Sequence, residues 1–135
     1  MPNNRTKGNR VERNAAKLLS EWTGIKLGRT PMSGGLFWKK ANAKGDISVT
    51  EEEPKHKLIF CIEIKARMKL NFDQFFHSKE RKIEVMKFWA QCKRDADGCK
   101  RIPLLLMHPN GMSPKEFIVM VDYDFYKKVR RYLDK

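Results

Sequence analysis

The sequence predicts a single α/β domain in which a mixed central sheet is flanked by helices, in the order α-β-β-β-α-β-β-α. Three observations predict it. The apolar runs around Leu58–Ile64 and Ile102–Met107 are rich in aliphatic residues, too short for a membrane span, and read as buried strands. Two longer stretches repeat apolar residues at three- and four-residue spacing and read as helices. A length of 135 residues with 41% hydrophobic content suits one core, and neither an internal repeat nor a domain boundary interrupts it.

Residues 1–7 are polar and read as disordered. The first helix is expected from Asn9 to Thr23, with Val11, Ala15, Leu18, Leu19 and Trp22 as its apolar stripe and Gly24 as its stop. A strand follows over Ile25–Arg29, then a mobile basic loop over 30–44. Its Ser33-Gly34-Gly35 can bring a hydroxyl and backbone N–H groups close to a phosphate, or can be only a turn. Lys39 and Lys40 continue its basic character, and Leu36, Phe37 and Trp38 either anchor it or stack on a ligand. The second strand is Asp46–Thr50, with Glu51-Glu52-Glu53-Pro54 as a solvated hairpin end, and the third is Lys57–Ala66.

Residues 67–77 are irregular. Ser78–Asp97 forms a helix with Ile83, Met86, Trp89 and Ala90 on one face, ended by Gly98. On it, Gln91 is either plain surface or a group that reaches a phosphate or an attacking water. Strands at Ile102–Met107 and Glu116–Val121, with a Pro109-Asn110-Gly111 turn between, lead to a basic helix over Asp122–Lys135.

The third strand carries the chemistry. Successive side chains on a strand face opposite ways, so Glu63 and Lys65 share one face while Ile62 and Ile64 pack on the other. Charges in such a strand are costly unless paired or bound to an ion. Asp46 opens an apolar pair, Ile47 and Val49, just after Gly45. If the two strands are hairpin partners, Asp46 lies beside Glu63. Two carboxylates that close repel unless a divalent cation sits between them. The bland alternative is an edge ion pair. Glu12, at the edge of the first helix's apolar stripe, has two readings: a helix-start glutamate favoured by the dipole, or a third carboxylate aimed at the same point. Arg13 flanks it.

Lys and Arg number 29 against 16 Asp and Glu, a net charge of +13 that favours a polyanionic partner, most simply nucleic acid. The first 45 residues hold ten of these cations against Glu12 and Glu21. Cys61, Cys92 and Cys99 have no C-x-x-C spacing and read as reduced thiols, Cys61 in the core. His56, His77 and His108 are scattered and read as surface or loop residues. With no signal peptide and no membrane span, the expectation is a cytoplasmic protein, in the host cytoplasm if phage-encoded.

Asp46, sixteen intervening residues and Glu63-Ile64-Lys65 resemble the PD-(D/E)XK nuclease motif, with Gly45 where the motif has proline. Within that superfamily the chain is most similar to the archaeal- and phage-type Holliday junction resolvases. The likeness runs from Gly8 to about Met107 and rests on Gly8, Glu12-Arg13, Arg29, Ser33-Gly34, Asp46 and Glu63-Ile64-Lys65. It implies a restriction-endonuclease-like core. It implies that Glu12, Asp46 and Glu63, with the Ile64 carbonyl, hold Mg²⁺ (or Mn²⁺), and that Lys65 completes the catalytic set. It implies that Arg13, Arg29 and the Ser33 loop contact DNA, and that the product is a 5′-phosphate and a 3′-hydroxyl. The expected substrate is a four-way junction cut by a homodimer, whose contacts could come from Phe72, Phe75, Phe76 or the terminal helix. A nicking or restriction-like enzyme on linear or flapped DNA, and a non-catalytic nucleic-acid-binding module, are the alternatives. The longer 30–44 loop, the 67–77 insertion and the helix at 122–135 depart from the resolvase pattern.

Overall fold

A computed structural model describes residues 4–30, 45–68 and 84–133. Its elements are α1 (Asn4–Thr23), β1 (Leu27–Arg29), β2 (Ile47–Val49), β3 (Phe60–Met68), α2 (Glu84–Cys99), β4 (Ile102–Pro109), β5 (Ile118–Met120) and α3 (Phe125–Leu133). The arrangement is mixed α/β and fits a restriction-endonuclease-like fold.

α1 begins five residues before the expected Asn9, inside the segment read as disordered. Its buried stripe is Val11, Ala15, Ala16 and Leu19, the spacing that turns one helical face inward. Leu18 is only half-buried. Trp22 leaves the stripe, lying 59% exposed at the end of the helix. Gly24 ends it with φ 72°, its N–H donating to the Ser20 carbonyl at 3.0 Å. The Ser20 hydroxyl donates to the Ala16 carbonyl at 2.7 Å and accepts from the Leu27 N–H at 3.0 Å, tying the helix to the strand that follows.

The single central sheet of the sequence reading is divided in two. β1 and β2 form an antiparallel pair with Arg29 opposite Ile47, and β3, β4 and β5 form a second sheet in that order. β3 and β4 run parallel, with Glu63 opposite Leu105 and Lys65 opposite Met107, whereas β4 and β5 are antiparallel. The two sheets touch at a parallel bridge between Gly45 and Ile62. β2 and β3 are therefore not hairpin partners. Glu51–Glu53 instead belongs to a connection between sheets, where Glu51 Oε1 accepts from the Lys26 N–H at 2.9 Å.

β3 alternation sorts the core into two layers. Phe60, Ile62 and Ile64 join Ile102, Leu104 and Leu106 of β4 against α1 and Phe125 of α3. On the other face, Leu105 and Met107 pack against Val85 and Cys92 of α2. β3 runs on through Met68, two residues beyond the expected end, with a register shift between Ala66 and Met68. Of the segment read as irregular, residues 69–77 lie outside the described residues.

α2 buries Val85, Cys92 and Ala96, with Phe88 and Trp89 half-buried. The expected stripe was rotated from this: Met86 and Ala90 are exposed, and Ile83 lies outside the described residues. Gly98 does not stop the helix. The chain continues to Cys99 and turns at Lys100, whose φ is 55°. There Arg101 N–H donates to the Ala96 carbonyl at 2.9 Å and Lys100 N–H to Asp97 at 3.3 Å, the paired bonds of a Schellman end.

His108 is buried rather than on the surface. It extends β4, where its Nδ1 lies 3.0 Å from the Glu116 carbonyl and its ring tilts against Phe117. His56 is exposed, and His77 lies outside the described residues. Among the described residues no helix is long and apolar enough to cross a membrane.

Candidate active site

The site forms where β2 meets β3. Gly45 makes the meeting possible. Its φ is 80°, and a Cβ built there would collide with the Ile62 carbonyl. Proline, fixed near φ −65°, could not adopt this backbone. The glycine at the motif's proline position is thus required by the close approach of two backbones.

That approach delivers Asp46. Its N–H donates to the Ile62 carbonyl at 2.8 Å, and its Oδ2 accepts from the Ile64 N–H at 2.7 Å. Asp46 therefore grips β3 on both sides of Glu63. Alternation turns the Glu63 side chain away from α1 and under α2, where it is 4% exposed. The Glu63 carboxyl is pushed up to about 9, first by burial and then by the Asp46 charge, with Asp95 of α2 adding a hydrogen bond and repulsion. Lys65 follows on the same strand face. Its Nζ lies 4.6 Å from the centroid of the Phe88 ring, a cation–π contact that fixes the ammonium beneath α2.

Glu12 and Arg29 form a neighbouring pair. Glu12 Oε2 accepts from Arg29 Nε at 2.6 Å, and Arg29 Nη2 donates to Asn9 Oδ1 at 2.7 Å. Thr30, the residue just after β1, donates its N–H to the Asp46 carbonyl at 2.8 Å. The structure thus brings Asp46, Glu63 and Ile64 together and places the Glu12 carboxylate against Arg29. Among the described residues, no three His, Cys, Asp or Glu side chains converge as a metal cluster. Arg13 and Gln91 are exposed on α1 and α2. Ser33, Gly34, Lys39 and Lys40 lie outside the described residues.

Two residues the sequence reading passed over belong here. Phe88 and Asp95 share the inward side of α2, at the i and i+7 spacing of one helical face. The Val85-Phe88-Cys92-Ala96 stripe would have found them, because it points the same side of the helix at β3. The donors around Glu63 are hard carboxylate oxygens, which suit Mg²⁺ or Mn²⁺ rather than zinc. A carboxyl held protonated first by burial and then by a neighbouring carboxylate is the condition a divalent cation relieves.

A family model described as "Phage putative PDDEXK endonuclease" matches residues 3–134, nearly the whole chain. The chain belongs to this family. It is therefore placed in the PD-(D/E)XK superfamily, and its family points to nuclease chemistry, which in this superfamily usually depends on divalent metals. It is also similar to Protein D14 of Escherichia phage T5, at 32% identity over 103 residues. That match covers 76% of this chain and 62% of the relative, so the chain spans less than two thirds of the relative's length. No solved structure matches the chain.

Proposed function

We propose that this phage-type PD-(D/E)XK protein is a Mg²⁺-dependent, structure-selective DNA endonuclease that cuts four-way junctions. The observation that carries the metal-dependent nuclease reading is the Asp46 grip on β3, which sets one carboxylate beside the buried Glu63 with Lys65 two residues on. Asp46 and Glu63 would hold the cation, with the Ile64 carbonyl a further oxygen and Asp95 close enough to Glu63 to share its proton. Glu12, now engaged by Arg29, would act through water or by leaving that pair. When bound, the cation supplies an activated water and stabilises the leaving oxygen. Lys65 neutralises charge on the phosphorane-like transition state and orients the attacking water, its ammonium steadied by Phe88. Arg13, Gln91 and the 30–44 loop would contact the DNA backbone.

The junction preference rests on the resolvase likeness. A four-way junction has two-fold character, so paired cuts require two copies about a C₂ axis, and a homodimer is part of the reading. The deciding assay is digestion of an immobile junction beside linear duplex of matched sequence, with and without Mg²⁺. We expect Asp46→Asn and Lys65→Ala each to abolish cutting while leaving junction affinity within a few-fold of wild type. Equal cutting of linear duplex would turn the assignment towards the restriction-like alternative. Cutting retained in both variants would remove these residues from the chemistry.

A further inference from the structure

On the sheet face away from Glu63, a row of aromatic rings runs out to solvent. Phe125 of α3 stacks on Phe60 of β3 with centroids 5.8 Å apart and planes 18° apart. Phe60 in turn stacks on Trp22 at the end of α1, 5.4 Å and 22°. Phe60 and Phe125 are buried, but Trp22 is 59% exposed. A scattered exposed aromatic is ordinary. This one differs in being stacked on the buried Phe60 ring, which orients its plane while most of the side chain stays exposed.

Beside it lies a groove of about 590 Å³ with an apolar floor of Ile25, Leu58, Ile59 and Val129. Among the described residues, the basic side chains that line it are Lys55, His56 and Lys57, and no carboxylate lines it. Glu52 and Glu53 in the preceding turn are exposed but are not part of its wall. A fixed aromatic plane flanked by cations is the arrangement that binds single-stranded nucleic acid: the base stacks and its phosphates meet the cations. A base pair inside a duplex has both faces covered by its neighbours and cannot use such a plane.

We propose that this groove binds an unpaired stretch of the DNA substrate, with one base stacked on Trp22 and adjacent phosphates against Lys55 and Lys57. The inference rests on the nuclease reading and adds to it a preference for substrates that carry a single-stranded segment. Glu63 lies three residues further along β3, about 10 Å of strand, and on the opposite face. The groove and the carboxylates therefore contact different nucleotides.

The test uses the full chain carrying Asp46→Asn, in chelator, with two labelled probes: a blunt duplex, and the same duplex with an oligo-dT tail. We expect the tail to strengthen binding. Trp22→Leu and, separately, the Lys55→Gln/Lys57→Gln pair should each cut the tail's advantage, the ratio of the two affinities, about fivefold or more, and lower blunt-duplex affinity far less than tailed-duplex affinity. Both lysines are exposed, so the charge variant keeps the test open even if Trp22→Leu unfolds the protein. Equal loss on both probes, or no loss in the charge variant, overturns the proposal. So does a Trp22→Leu variant whose only change is a smaller mass in sedimentation, because the groove is then a contact between copies. Cleavage by the unmodified protein on any DNA is scored separately. A nuclease without the tail preference fails the groove alone, and tail binding without cleavage fails the nuclease alone.

Discussion

Glu63 concentrates the energetics of this protein. Its carboxyl ionises near 4.5 in an unfolded chain and near 9 in the fold. Between those values the unfolded chain releases a proton that the folded protein keeps, so the unfolded state is favoured as pH rises. The sign is opposite to that of an ordinary salt-bridged carboxylate. Without divalent cation, stability should fall from about pH 4.5 to about pH 9 by up to ~1.4 kcal/mol per pH unit from this group. Thermal melts across that range would show it. Glu63→Gln should flatten the profile, and Mg²⁺ or Mn²⁺ should restore the alkaline side. Gly45 is the second residue with an outsized role. In Gly45→Ala the methyl group meets the Ile62 backbone, and the positive φ alone costs about 1–2 kcal/mol. The bridge should open and carry Asp46 with it, so cleavage should be lost more completely than global stability, read by parallel kinetics and denaturant titration. The sequence singled out both residues. It could not show that Gly45 is there for backbone clearance, because that depends on where Ile62 lies.

At the scale of elements, α2 is the lid over β3 and supplies what the strand motif lacks. Phe88 holds the Lys65 ammonium by an interaction worth about 0.5–2 kcal/mol. Phe88→Leu keeps the bulk and removes the ring quadrupole. It should slow single-turnover cleavage by roughly 2- to 30-fold with DNA affinity unchanged, and Phe88→Tyr should recover most of the rate. A purely structural ring would shift melting temperature without that rescue of rate. β3 was legible because its alternation is a local property: Ile62 and Ile64 inward, Glu63 and Lys65 to the other side. The face of α2 was not. Its charged and apolar residues allow two stripes that differ by a small rotation, and only packing against Leu105 and Met107 selects the one carrying Val85, Cys92 and Ala96. The helix end misled for a similar reason. Gly98 is a good stop, yet the left-handed turn falls at Lys100, where paired bonds to Ala96 and Asp97 complete the terminus.

For the whole molecule, charge and topology act together. A net +13 on 135 residues gives a field that attracts any polyanion, and the fold spends part of it on internal pairs such as Arg29–Glu12 and Lys128–Asp122. The remaining cations should make DNA binding strongly dependent on salt. For roughly four phosphate contacts, affinity should fall about 100-fold between about 50 and 200 mM monovalent salt. Titrations at several salt concentrations measure the slope, and a flat response would separate binding from the charge excess.

The sequence alone determined the net positive charge, the β3 alternation and the Gly45-Asp46…Glu63-Ile64-Lys65 motif, because composition and period-two spacing survive any placement of the elements. Only the tertiary structure decided that Asp46 reaches β3 through a parallel bridge instead of a hairpin, that Arg29 holds Glu12, and that Phe88 and Asp95 cover the site. Those contacts join residues 17 to 32 positions apart, and their partners are chosen by how helices and sheets pack rather than by any local pattern.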